Sequence, residues 1–100
     1  MDGTSTNGKD CGALLGGRYR LHNTVGDGGM GTVYAAEHAE LGIEVAIKLP
    51  HRVAPEASAR LRAEARALHR ARHPNVVALL DFSVCADGRP FLVMERARGE

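Results

Sequence analysis

The feature that most restricts this chain is the run Gly26-Asp27-Gly28-Gly29-Met30-Gly31, which leads straight into Thr32-Val33-Tyr34. Glycine loses more backbone freedom on folding than any other residue, so a segment this rich in it is costly inside a helix or a strand. The run therefore marks a turn, and the β-branched and aromatic residues after it mark a strand leaving that turn. Upstream, the stretch RYRLHNTV places Tyr19, Leu21 and Val25 at odd positions, the period of a strand with one covered face. The glycines thus sit at the tip of a predicted β-hairpin.

The residues downstream extend this hairpin. Gly42 supplies a second turn, and IEVAIKLP is a further β-rich run stopped by Pro50. The period then changes. PEASARLRAEARALHRARHPN is rich in Ala, Arg, Leu and Glu, which favour helix. Pro55 suits a first helical turn, and His73-Pro74-Asn75 ends the helix because the residue before a proline avoids helical geometry. Leu61, Ala65, Leu68 and Ala71 form one apolar stripe, while Arg62, Arg66 and Arg70 follow one another on another face. VVALLDFSV and PFLVME read as two more strands around the turn CADGRP. The predicted order is β-β-β-α-β-β, an α+β fold with a five-stranded antiparallel sheet and one main helix. Residues 1–17 hold little to bury and are expected to be a disordered leader, leaving 18–100 as one domain.

Composition narrows the class. One hundred residues build a single domain with a thin core. A formal net charge of +1 gives no overall field toward nucleic acid or a membrane surface. No apolar run approaches the length of a membrane span, and the N-terminus lacks the basic start and apolar core of a secretory signal. Cys11 and Cys85 lie far apart with no C-x-x-C pairing, so the expectation is buried or idle thiols in a reducing, cytoplasmic setting.

The glycine run matches G-x-G-x-x-G, a spacing shared by unrelated phosphate binders and by plain hairpin turns. In a dinucleotide-binding unit those glycines open a helix, with an acid about 20 residues on to hold the ribose. Here they open a strand, and the next strand ends in Lys48-Leu49-Pro50. A Walker A loop needs Gly-Lys-Ser/Thr, whereas this chain has Gly31-Thr32-Val33. A ligand-free glycine turn remains open on the loop alone.

Further motifs then follow in order. VAIK (Val45 to Lys48) stands on the strand after the loop, RAEARAL carries Glu64, and FLVME lies near the end. GDGGMGTVYAAEH and RLRAEARAL…RHPNVV resemble bacterial (Hanks-type) members of the serine/threonine protein kinase family, and the resemblance runs from about Arg18 to Glu100. It implies the fold of a kinase N-terminal lobe, with ATP as the ligand. Gly26, Asp27, Gly28, Gly29, Met30 and Gly31 then match the loop over the ATP phosphates. Met30 stands where many kinases carry an aromatic residue. Lys48 matches the lysine that pairs with the α- and β-phosphates, and Glu64 the helix glutamate that orients it; these two are the catalytic candidates. Taken without the resemblance, Lys48 reads as a solvated strand-end lysine and Glu64 as a helix-surface partner of Arg60. Glu64 also shares the edge of the apolar stripe, where a carboxylate needs a cationic partner.

The resemblance further implies that Val33 and Ala46 cover the adenine ring. Met94 falls at the gatekeeper position, and Glu95 and Ala97 fall where the hinge reads adenine through its backbone. Leu68 and Leu79 match a hydrophobic spine. Core packing is an equally good account of these apolar residues from the sequence. Arg96 departs from the tyrosine common at that hinge position.

Other candidates carry less. His69 and His73 stand at i, i+4, without an evident third metal ligand. The arginine row suits nucleic acid or a phosphorylated segment, but a solvated helix face accounts for it more simply. The family's H-R-D-x-x-x-x-N loop and D-F-G motif do not occur in these residues; Asp81-Phe82 is followed by Ser83 on a predicted strand. Mg²⁺ is implied by the family, but its protein ligands are not in this sequence. The reading is thus the N-terminal part of an ATP-dependent serine/threonine protein kinase. These residues alone are expected to hold ATP without transferring its phosphate to a protein. The alternative is a non-catalytic, pseudokinase-like lobe that binds nucleotide weakly, docks on a kinase or pairs with another kinase lobe.

Overall fold

The computed structural model describes residues 14–28, 31–71 and 78–96. In chain order the elements are β1 (Tyr19–Asp27), β2 (Gly31–His38), β3 (Glu44–Pro50), α1 (Pro55–Ala71), β4 (Leu79–Val84) and β5 (Pro90–Glu95). The expected β-β-β-α-β-β order is present. All neighbouring strands are antiparallel, and the sheet order is β1-β2-β3-β5-β4.

Alternation sorts the strand residues onto two faces. Tyr19, Tyr34, Ala36, Val45, Ile47, Leu49, Phe91 and Val93 form the main core. The sheet is curled around this core. The Tyr19 hydroxyl on edge strand β1 donates to Asp81 Oδ2 on the opposite edge strand β4 at 3.0 Å, and the Tyr19 and Phe91 rings meet edge-on at 6.0 Å. Burial, and then the Asp81 carboxylate, push the Tyr19 phenol above its ordinary pKa.

The other face takes helix α1. Leu61 and Ala65 bury against Leu92, with Leu68, Leu79, Phe82 and Met94 packed around them. Pro55 opens the helix as the sequence predicts. Glu56 in the first turn and His69 and Arg70 in the last complement the helix dipole. The Ala71 side chain and residues 72–77, including the expected His73-Pro74-Asn75 stop, lie outside the described residues.

Three readings of the sequence need correction. The sequence period puts Val25 on the covered face with Tyr19 and Leu21, but it is 51% exposed. Register shifts between Leu21 and Thr24 and between Thr24 and Gly26 break the alternation, since one extra residue moves every later side chain to the other face. The folded part also begins before Arg18: Leu15 is 2% exposed within the main core, and its backbone pairs with Tyr19. Finally, Cys85 is buried, as one of the two sequence readings has it, but it is disulfide-bonded where both expect a free thiol. The only other cysteine, Cys11, lies outside the described residues.

The two turns expected from the sequence at Gly42 and in CADGRP are present, each with a glycine at positive φ. Gly42 closes the β2–β3 turn at φ 73°, its N–H donating to the His38 carbonyl at 2.7 Å. Gly88 closes the β4–β5 turn at φ 97°. Residues with a Cβ rarely adopt either conformation.

Candidate functional site

Strand register assembles the site. Val33, Lys48 and Leu92 are cross-strand partners in one row, and Ala35, Ala46 and Met94 in the next. Both rows lie on the sheet face that α1 covers. The helix runs past Lys48 with its apolar stripe on the sheet, which leaves Glu64 on the flank nearest β3. Lys48 Nζ donates to Glu64 Oε1 at 3.0 Å and to Oε2 at 3.1 Å. The two side chains keep 27% and 38% of their surface. At that exposure the pair contributes little to stability, on the order of 1 kcal/mol or less. What it does is hold a primary ammonium at a fixed place on the sheet.

The glycine loop joins the ends of β1 and β2 beside this pair. The Gly28 N–H donates to the Gly31 carbonyl at 3.0 Å, closing the tip. Asp27 anchors the loop from outside: its Oδ1 accepts from the Thr32 hydroxyl at 3.0 Å and lies 3.2 Å from His51 Nε2, just beyond β3. These contacts, His51 first, hold the Asp27 carboxyl below the usual aspartate range.

The described glycines of the loop differ in what they do. A Cβ on Gly31 would collide with the Leu49 carbonyl oxygen and come within 2.9 Å of Pro50 Cα, so Gly31 is required for β2 and β3 to approach. A Cβ on Gly28 would meet nothing within 4 Å, and one on Gly26 only Val33 Cβ at 3.9 Å. Neither glycine has a positive φ. Among the described residues, nothing in the packing gives a reason for glycine at 26 or 28.

Val33 and Ala46 are partly buried beside Lys48, and Met94 packs with Leu68 and Leu79 against the helix cluster. Glu95 is exposed, and its N–H donates to the Ala78 carbonyl at 2.9 Å. Gly29, Met30 and Ala97 lie outside the described residues. So does His73, the partner considered for His69.

Sequence reasoning missed two polar clusters. The Asp27–Thr32–His51 contact joins residues whose spacing carries no periodic signal. Arg89, inside a polar turn, is 3% exposed. Its guanidinium donates to Asp87 Oδ2 at 2.8 Å and to the Pro50 carbonyl at 3.1 Å, fastening the β4–β5 turn to the end of β3. Burial of an arginine requires such partners, but no pattern in the sequence announces them.

With this geometry in view, comparison with known proteins is decisive. The family model of the protein kinase domain matches residues 19–100. The chain belongs to the protein kinase family. It is 43% identical over 90 residues to the DNA damage-responsive serine/threonine-protein kinase RqkA of Deinococcus radiodurans, an alignment covering 88% of this chain and 14% of that kinase. It is 42% identical over 82 residues to serine/threonine-protein kinase Pkn1 of Myxococcus xanthus, covering 79% of the chain and 12% of the relative. Identity to serine/threonine-protein kinase PknA of Mycobacterium tuberculosis is 38% over 96 residues, covering 89% and 22%. The chain therefore spans less than a quarter of each of these kinases. The curled sheet and single helix are the fold expected of a kinase N-terminal lobe. Among the described residues, no helix is long and apolar enough to cross a membrane.

Proposed function

We propose that this chain supplies the ATP-holding part of a serine/threonine protein kinase, whose reaction moves the γ-phosphoryl group of ATP to a Ser or Thr hydroxyl of a protein. The observation that carries the proposal is the Lys48–Glu64 pair, an ammonium gripped by both carboxylate oxygens one strand away from a glycine loop.

Each residue has a physical task in this reading. Backbone N–H groups of the Gly26–Gly31 loop approach phosphate oxygens closely where no Cβ intervenes, which accounts for glycine at 26 and 28. The Asp27 side chain is committed to Thr32 and His51, so that residue contributes position and backbone, not a carboxylate aimed at phosphate. Lys48 neutralises charge on the α- and β-phosphates, and Glu64 keeps its ammonium from swinging away. Val33 and Ala46 sandwich the adenine from above, Ala46 being small enough to admit a flat base. Met94 bounds the back of the pocket, and the backbone of Glu95 and Ala97 reads the base edge. Phosphoryl transfer asks a protein mainly for positioning and charge stabilisation, and these residues provide the nucleotide's share of both. The protein substrate's share would belong to the family's catalytic loop and the hold on Mg²⁺ to its D-F-G aspartate, motifs that do not occur in these residues. The Mg²⁺ that the family uses finds no matching ligands in this sequence, so no step is assigned to it here.

Calorimetric titration with ATP tests the assignment. Lys48→Ala should weaken binding by about tenfold, the loss of a charge-assisted contact of roughly 1.4 kcal/mol, with an unchanged circular dichroism spectrum. Affinity equal to that of the unsubstituted chain would show that Lys48 does not hold the phosphates.

A further inference from the structure

A buried arginine is a poor way merely to stabilise a turn. Arg89 is 3% exposed, and taking a guanidinium out of water costs more than packing an apolar side chain in its place. What the arginine offers instead is reach and direction. Its Nε donates to Asp87 Oδ2 at 2.8 Å within the β4–β5 turn. Its Nη1 donates to two successive carbonyls, Pro50 at 3.1 Å and His51 at 3.4 Å. The turn closes around it: the Arg89 N–H donates to Asp87 Oδ1 at 3.0 Å, and its carbonyl accepts from the Cys85 N–H at 2.9 Å. Arg89 therefore fixes two consecutive peptide groups where β3 leaves the sheet.

Those peptide groups are where the glycine loop lands. Pro50 is the cross-strand partner of Gly31, and Leu49 that of Thr32. A Cβ on Gly31 would come within 2.9 Å of Pro50 Cα, so β2 starts hard against the end of β3. The His51 ring reaches the other stem of the loop. Its Nε2 lies 3.2 Å from Oδ1 of Asp27, the last residue of β1, and is the donor because a carboxylate only accepts. The Thr32 hydroxyl donates to the same oxygen at 3.0 Å. The end of β3 thus touches both stems of the loop, and Arg89 holds the end of β3.

We propose that Arg89 is a positioning residue for the nucleotide phosphates, acting through the Pro50–His51 backbone and the His51–Asp27 contact to fix the glycine loop. The proposal rests on the phosphate reading of that loop, and Arg89 itself touches no ligand in it. A loop free to wander spends less time with its N–H groups in the arrangement that binds, which lowers affinity in proportion. Val33, Ala46 and Glu95, assigned to the adenine, are held by strand pairing away from the Pro50–His51 junction. Loss of the arginine should therefore weaken the hold on phosphate and spare the hold on the base.

Calorimetry with ATP and with adenosine tests this on the chain, on Arg89→Lys, on His51→Ala and on the double variant. Arg89→Lys and His51→Ala should each weaken ATP binding by about threefold or more, the loss of one positioned hydrogen bond. Adenosine affinity should not change in either. The double variant should lose little more than the larger single loss, because both changes cut the same connection. A merely structural role would weaken both ligands together, so equal losses of ATP and adenosine in Arg89→Lys would overturn the proposal. Losses that add in the double variant would overturn it too. The His51 ring is half-exposed and can be removed without disturbing the core; unchanged ATP affinity in His51→Ala would sink the proposal even if Arg89→Lys failed to fold. The reading beneath it fails separately. If the unsubstituted chain binds ATP no more tightly than adenosine, the loop does not hold phosphate, and the positioning role falls with it.

Discussion

Residue by residue, the loop separates glycines that serve the fold from glycines that do not. Gly31 is fixed by backbone proximity to β3, so Gly31→Ala forces the strands apart. It should cost about 1–3 kcal/mol in urea denaturation. Gly28→Ala fills open space and should change stability by about 0.5 kcal/mol or less, while lowering ATP affinity. Equal destabilisation by both substitutions would refute the distinction. Asp27 adds a pH dependence to the same loop. Its pKa is lowered in the folded chain, so its contribution is present above the unfolded aspartate value and is lost as pH falls through the folded one. The loop should therefore loosen only on the acid side of the ordinary aspartate range. Carboxyl chemical-shift titration should give Asp27 a midpoint below that of a free aspartate, and His51→Ala or Thr32→Val should raise it. A midpoint that neither substitution moves would contradict the anchoring role of these contacts.

Among elements, the parts legible in the sequence were those with a period or a turn signal. The helix spacing of Leu61, Ala65 and Leu68, its proline start, and the glycines at 42 and 88 led to the right order of strands and helix. Strand β1 was legible only in its first half, because the register shifts after Leu21 are set by pairing with β2 and leave no mark in the alternation. The Lys48–Glu64 candidates were legible through motif order and through Glu64's place at the edge of the apolar stripe; the sequence could not give their distance. Arg89 was illegible because its role depends on two elements meeting, the β4–β5 turn and the end of β3. That junction can be tested. Arg89→Met should cost about 2–4 kcal/mol, since it removes the buried guanidinium's hydrogen bonds to Asp87 Oδ2 and the Pro50 carbonyl. Arg89→Lys should recover only part of this, because one ammonium cannot reproduce the planar fork. A change below about 0.5 kcal/mol on urea denaturation of Arg89→Met would show that the turn does not depend on it.

At the scale of the whole molecule, the curled sheet divides the work between its faces. Tyr19–Asp81 draws the two edge strands together around the main core, which leaves the other face for the helix, the ammonium–carboxylate pair and the glycine loop. The helix rests on a small set of apolar contacts, and its two flanks carry opposite charge: Glu64 toward β3, the arginine row toward β4. In the proposed reading, a lobe built this way presents the residues that hold the nucleotide on the sheet face that the helix shares. Its central claim is that phosphate, more than the base, is what the glycine loop recognises. The most direct measurement is a nitrogen–proton correlation spectrum of the chain titrated in parallel with ATP and with adenosine. The account predicts shifts at Gly26, Gly28, Gly31 and Lys48 with ATP and not with adenosine, and shifts at Val33, Ala46 and Glu95 with both. Glycine-loop shifts of the same size with both ligands, or none with ATP, would contradict it.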